Sequence, residues 1–215
     1  MIKIYYSQLN SALPTQRLEV YLRRLPSSLQ FKIQRYRKTK DVQRVLFGKL
    51  LLQNGLEELS DTPIELDQLE CSKTGKPYLK DAPDFNLSYS GDYVLCAINT
   101  QGRIGIDIEQ IRPIDLNDYS FLFHGEVFRS IRQATDPAGA FFENWTIREA
   151  ILKAEGTAST DEVKNIEIKE GKARFKNRDW FYQPLPVAPG YLAYMATDVP
   201  PRNVLIEATT FCCVL

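Results

Sequence analysis

The sequence predicts an α+β protein made of two similar α+β halves, on three observations. Helical and strand periodicities alternate in blocks, and the order in residues 1–102 is echoed in 103–215. No Gly-, Ser- or Pro-rich linker or low-complexity run divides the chain, so two closely packed halves fit better than two tethered domains. A length of 215 residues with 44% hydrophobic and 25% charged residues is enough for a substantial core. No residue-level repeat relates the halves.

The elements follow in order. "IKIYYSQL" opens as a strand. "LPTQRLEVYLRRLP" reads as a helix with Thr15 as its N-cap and Leu18, Tyr21, Leu22 and Leu25 at i, i+3, i+4, i+7. Residues 28–54 give a helix, a break near Thr39, and a second helix that Asn54-Gly55 should stop. "IELDQLECSKTGKPYL" predicts a strand and a Gly-Pro loop. "DFNLSYSGDYVLCAINTQGRIGIDIEQI" predicts a hairpin of two strands around a turn at Asn99 to Gly102. The second half predicts helix from about 115 to 156, then strands at 163–169, 172–176, 179–184, 190–197 and 203–214. Asp136-Pro137 starts the last helix, Asp as cap and Pro in the first position, and Gly156 ends it.

Composition excludes several classes. Acidic and basic residues balance at 27 each, so nothing global advertises nucleic acid or a membrane, and electrostatic steering must be local. No apolar run approaches the roughly 18 residues of a membrane span. "MIKIYYSQLN" has neither the apolar core nor the cleavage site of a signal peptide. Cys71, Cys96, Cys212 and Cys213 lack CxxC spacing and neighbouring histidines, which argues against zinc and for a reduced, cytoplasmic setting. "CCVL" formally matches a prenylation box, but "NVLIEATTFCCVL" reads as a closing strand. The single histidine, His124, suits a helix end or the surface better than a catalytic base.

Two stretches carry chemistry. In "IGIDIEQIRP", Ile104, Ile106 and Ile108 form one face of a strand and Gly105, Asp107 and Glu109 the other. Alone, this favours a solvated strand face; a floor for a hard divalent cation is the sharper alternative and needs a third oxygen ligand. In "DPAGAFFENWTIREAILKAEG", Trp145, Glu149 and Lys153 fall at i, i+4, i+8, separate from the core stripe of Ile147, Ala150, Ile151 and Ala154. That stripe reads either as a plain Glu–Lys pair or as the third ligand, Glu149, beside a cation, Lys153, ready for an anion on the same metal. A third feature is the basic run of 31–50, with Lys32, Arg35, Arg37, Lys38, Lys40, Arg44 and Lys49 against Asp41. It reads as a solvated helix face, as a nucleic-acid patch, or as an anion site. Nucleic acid is disfavoured by the neutral total charge and the lack of aromatics paired with basic residues elsewhere.

"GIDIE" at 105–109 and "WTIREAILKAEG" at 145–156 resemble the two signature motifs of the 4′-phosphopantetheinyl transferases, G-x-D-x-E and W-x-x-K/R-E-A-x-x-K. "QRYRKTKDVQRVLFGKLLL" at 34–52, "TGKPYL" and "FNLSYSG" at 74–91 resemble segments of the larger, surfactin-synthetase type, in family order. The resemblance implies two α+β halves packed as a pseudo-dimer with the active site at their interface. The first half, 1–102, would contact coenzyme A, and the second, 103–215, would hold the metal and catalytic residues. It implies Mg²⁺-dependent transfer of the phosphopantetheine arm of coenzyme A to a serine of an acyl or peptidyl carrier protein, releasing adenosine 3′,5′-bisphosphate. The metal ligands would be Asp107, Glu109 and Glu149, with Mn²⁺ as the alternative ion and Gly105 and Gly102 leaving space beside them. Glu149 would also orient or deprotonate the serine, and Lys153 would steady the developing phosphate charge. Lys32 and Arg44 would meet the 3′-phosphate, Lys76 and Pro77 the adenosine part, and Ser88 and Tyr89 would fill the place of a Ser-His pair. "SKTGKP" is not a P-loop, lacking its leading glycine and following Ser/Thr. A cytoplasmic monomer, free of nucleic acid and membrane, is implied.

The chain departs from the family at three positions. Tyr89 replaces a histidine, so a cationic phosphate contact becomes a neutral donor, implying weaker coenzyme A binding. Arg148 stands for the commoner lysine, and Leu29 for a phosphate-binding lysine of some members. These departures keep a second reading open: a coenzyme A- or carrier-binding homologue impaired in turnover. Glu126 matches an acid at the rim of the family's site.

Overall fold

The computed structural model describes residues 1–9, 13–60, 64–157 and 159–211. Cys212 and Cys213, with the end of the predicted closing strand, lie outside the described residues. The first part runs β1 (Ile2–Gln8), α1 (Thr15–Leu22), α2 (Ser27–Gln34), α3 (Thr39–Glu57), the short strands β2 (Glu70–Cys71) and β3 (Pro77–Tyr78), then β4 (Asp84–Ser90) and β5 (Tyr93–Asn99). The second runs β6 (Ile104–Gln110), α4 (Gly125–Gln133), α5 (Pro137–Glu155), β7 (Glu167–Lys169), β8 (Lys172–Phe175), β9 (Arg178–Pro184), β10 (Tyr191–Thr197) and β11 (Val204–Ala208).

Two main sheets form. One has the order β11-β1-β5-β4, the other β6-β10-β9-β8-β7. The series β1-β5-β4 and β6-β10-β9 match in order and in antiparallel sense, and each packs under a 19-residue helix, α3 or α5. β11 crosses back and pairs parallel with β1, so the last strand belongs to the first sheet.

Three clusters make the core. α1, α2 and α3 cover one face of the first sheet through Leu50, Leu51, Tyr5 and Ile98. α5 covers the second sheet through Ile147, Ile151 and Trp180. The third cluster lies on the other face of both sheets and spans them: Ile2, Ile4, Leu95 and Ala97 meet Ile104, Ile106, Ile108 and Met195. The isoleucine face of "IGIDIE" is therefore core, which leaves Gly105, Asp107 and Glu109 on the α5 side.

The predicted hairpin at Asn99 to Gly102 is corrected. The hairpin is β4–β5, turning at Gly91-Asp92, and β6 pairs with β10 instead of β5. The free edge of β6 meets β4 through side chains. Asp84 Oδ2, Asn86 Oδ1, Ser88 Oγ and Ser90 Oγ accept in turn from the backbone N–H of Ile104, Ile106, Ile108 and Gln110, at 2.7, 3.0, 3.3 and 3.1 Å. The period-2 spacing of both strands keeps this ladder in register, and it satisfies amides that would otherwise be buried without partners.

Other boundaries shift for local reasons. Pro14, not Thr15, stands at the N-cap of α1, and no side chain caps it. α3 runs through Gly55 to Glu57: a Cβ there would come within 2.6 Å of Tyr5 and Ile98, so this glycine admits a close strand and does not stop the helix. Leu66–Gln68 forms a short 3-10 turn where strand was expected. α5 begins with Asp136 capping Gly139 N–H and ends at Gly156 in the left-handed region, φ 80°, as its sequence predicts.

Candidate active site at the seam between the sheets

The seam places β6 between β4 and α5. A Cβ on Gly105 would stand 2.0 Å from Ala150 O and 2.4 Å from Ala154 N. The expectation that Gly105 leaves room for a ligand is thus corrected: its bare backbone lets α5 lie against the strand. Gly102 likewise serves a turn, at φ 99° and against Asp198. The close approach presents the acid face of β6 to the Trp145, Glu149, Lys153 stripe one helical turn apart.

Asp107 is the centre of the site and 4% exposed. Lys153 Nζ reaches its Oδ1 at 2.5 Å, and Ser88 Oγ donates to the same oxygen at 2.9 Å. Asp107 Oδ2 is buried with no hydrogen-bond partner. Glu109 accepts from Ser90 Oγ at 2.8 Å and from Trp145 Nε1 at 3.3 Å. Glu149 takes no hydrogen bond among the described residues and opens into a cavity of about 300 Å³ with Lys153, Lys76, Pro77 and Asn86.

The electrostatics follow from this crowding. Burial, then the charges of Asp107 and Glu109, push the Glu149 carboxyl up to about 7, with Lys153 opposing. Burial and Asp107 also raise Glu109, against its bonds from Ser90 and Trp145. Burial disfavours the Lys153 ammonium, but Asp107, Glu149 and Glu109 outweigh it and hold Lys153 above the ordinary lysine range. Three carboxylates thus share one ammonium, which is a local excess of negative charge.

A divalent cation fits this donor set. The oxygens are hard, one of them is buried without a partner, and the net charge calls for a cation. Among the described residues no three acidic, histidine or cysteine groups form a ready ion cage. Lys153 takes one oxygen of Asp107, and the ladder residue Ser90 and Trp145 hold Glu109.

The remaining expected residues divide. Lys76 lines the cavity but is tied down, its Nζ donating to Asp84 Oδ2 at 2.6 Å and Ile104 O at 3.0 Å. Burial lowers its pKa, with Asp84 opposing. Ser88 is 4% exposed, donates to Asp107 and accepts from Ile108 N–H and Lys153, so its hydroxyl is fully used. In this geometry the hydroxyl braces Asp107 against β6. Arg44 pins the β4–β5 turn through Gly91 O at 2.5 Å and also reaches Asp41. Tyr89 is 46% exposed, within electrostatic reach of Lys153 and Arg44. Lys32 is exposed on α2, near Lys49, and is not among the cavity residues. His124 is exposed at the N-cap of α4, as expected.

Asn86, Ser90 and Trp145 were not assigned roles by the sequence. For Asn86 and Ser90 the signal was present in the alternation of polar residues in "DFNLSYS", which faces the seam rather than water, and for Trp145 in its place on the Glu149–Lys153 stripe.

A buried acid–lysine pair and two further carboxylates thus come together at the seam between the two sheets. Comparison with known proteins gives the family. The family model described as 4′-phosphopantetheinyl transferase, N-terminal matches residues 14–101, and that of the 4′-phosphopantetheinyl transferase superfamily matches 103–192. The chain belongs to this superfamily and is of the Sfp type. It is 34% identical over 127 residues to 4′-phosphopantetheinyl transferase psf-1 of Bacillus pumilus, 57% of this chain and 54% of that protein. It is 35% identical over 124 residues to the gsp transferase of Aneurinibacillus migulanus, 57% of this chain and 52% of that one. To Sfp of Bacillus subtilis it is 27% identical over 159 residues, 72% and 70% of the two chains. The chain spans about half the length of the first two of these curated relatives.

Proposed function

We propose that this chain transfers the 4′-phosphopantetheine arm of coenzyme A to a serine hydroxyl of an apo acyl or peptidyl carrier protein, releasing adenosine 3′,5′-bisphosphate. The observation that carries the reading is Asp107, buried at the seam with one oxygen on Lys153 and the other unpartnered, beside Glu149. Asp107, Glu109 and Glu149 would hold Mg²⁺, or Mn²⁺ as the alternative, which supplies charge neutralisation at the diphosphate. Lys153 meets the phosphate charge that develops as the bond to the leaving bisphosphate breaks. Glu149 orients or deprotonates the serine; its oxygens, free of hydrogen bonds among the described residues, leave it available.

Coenzyme A lies along the seam in this reading. Lys32 and Arg44 meet the 3′-phosphate, Lys76 and Pro77 border the adenosine, and Tyr89 supplies a neutral hydroxyl. The two halves, 1–102 and 103–215, form a pseudo-dimer with the site between them, which the matching strand orders support. The protein works as a cytoplasmic monomer whose partners are coenzyme A and the carrier, not nucleic acid or membrane. Among the described residues no helix is long and apolar enough to cross a membrane.

Tyr89 favours one second reading, a homologue that binds coenzyme A or the carrier without turning over. One experiment separates the two: incubate the chain with an apo carrier, coenzyme A and Mg²⁺, and weigh the carrier. A gain of one phosphopantetheine that EDTA removes is expected. Coenzyme A binding with no gain on any of several carriers would establish the second reading instead.

A further inference from the structure

A cavity of about 790 Å³ lies away from the seam on another face of α5. Its walls are the start of α4, the Asn144–Arg148 side of α5, and the stretch from Lys164 into β7. Arg148 and Glu149 are adjacent in α5, about 100° apart around the helix, so one faces this cleft and the other the seam cavity.

Arg148 is the unusual group. It is 3% exposed, and its Nη1 donates to Asn144 O at 3.1 Å and Asn144 Oδ1 at 2.8 Å. The guanidinium carbon sits 5.3 Å from the centre of the Phe123 ring. Its Nε is sealed from solvent with no partner, and no carboxylate pairs with it among the described residues. A buried guanidinium without a counter-charge is costly, and its planar fork matches an oxyanion.

The cleft supplies a second set of donors. His124 leaves the N-terminus of α4 without a side-chain cap, and the first intrahelical bond is Phe128 N–H to His124 O. The N–H groups of Gly125, Glu126 and Val127 therefore face the cleft end of a nine-residue helix, where the dipole favours negative charge. Arg129 and Lys164 at the walls offset the carboxylates of Glu126 and Glu167, which leaves the Arg148 charge in excess, and Val127, Ile166 and Ile168 add apolar surface.

We propose that this cleft binds a small oxyanion-bearing ligand, a carboxylate or phosphate, held between the Arg148 guanidinium and the open N-terminus of α4. The ligand's body lies on the apolar wall of Val127, Ile166 and Ile168. The site is separate from the seam and does not depend on the proposed transfer activity.

The test follows the Arg148 Nε–H resonance of the ¹⁵N-labelled full chain by NMR. Sodium acetate and sodium phosphate are titrated in separately, against sodium chloride at matched ionic strength. A saturable shift with acetate or phosphate but not chloride, accompanied by the Gly125 and Glu126 amides, is expected; whichever anion acts identifies the head group. The shift should persist in Lys153→Ala and vanish in Gly125→Phe, whose side chain enters open space at the cleft. That variant keeps the test valid should Arg148→Met fail to fold. No movement with either anion, or a response that Gly125→Phe leaves intact, overturns the proposal. So does a Glu126→Gln variant that shifts the wild-type resonance and first creates the anion response, since Glu126 is then the partner of Arg148.

Discussion

Asp107 shares one oxygen between Lys153 and Ser88, while nothing among the described residues reaches the other. Two carboxylates on one strand face raise each other's cost, and the buried Lys153 ammonium between them offsets part of it. Ser88 donates to the Asp107 oxygen that Lys153 also holds. Ser88→Ala is expected to raise the Mg²⁺ concentration for half-maximal transfer by about 10- to 100-fold, the usual effect of losing a support to a ligand. Magnesium titrations of carrier modification measure it, and an unchanged midpoint would show that Asp107 needs no such support. That the acids and Lys153 come together was legible from their spacing. The use of Ser88 was not, because a hydroxyl beside an aromatic looks the same whether it meets a cofactor or a neighbouring strand.

The contact of α5 with β6 rests on Gly105, whose missing Cβ is the space taken by the α5 backbone. Here the sequence misleads in an instructive way: a glycine between carboxylates reads as room for a ligand, whereas a helix backbone occupies it. Gly55 repeats the lesson, since a C-terminal stop signal and a close-approach glycine are the same letter. Gly105→Ala forces the helix off the strand and is expected to cost about 1–3 kcal/mol or more, as overpacking does. Urea denaturation checks this; a variant as stable as the parent would mean that α5 shifts freely. By contrast, the ends of α5 were readable in full, because Asp136, Pro137 and Gly156 act locally and no distant partner decides them.

The whole molecule is tied together by the β4–β6 ladder and by a core cluster that both sheets share. The mixed helix and strand order was legible in the sequence, but not this join. A side-chain ladder has the same alternation as a solvated strand edge, so β5 and β6 looked like hairpin partners. The parallel return of β11 to β1 adds a second crossing between the ends of the chain. Unfolding should therefore be a single cooperative transition, with fluorescence and far-UV circular dichroism coincident in urea. Two separated transitions would show halves that fold alone. Group transfer is proposed to take place at this seam, on Asp107 and its neighbours. Its most direct measurement is the mass of an apo carrier after incubation with coenzyme A, Mg²⁺ and either the parent chain or Asp107→Ala. One added phosphopantetheine is expected with the parent, and a rate lower by about 100-fold or more with the variant, the scale of losing a charge-stabilising group. Equal rates for the two proteins would contradict it.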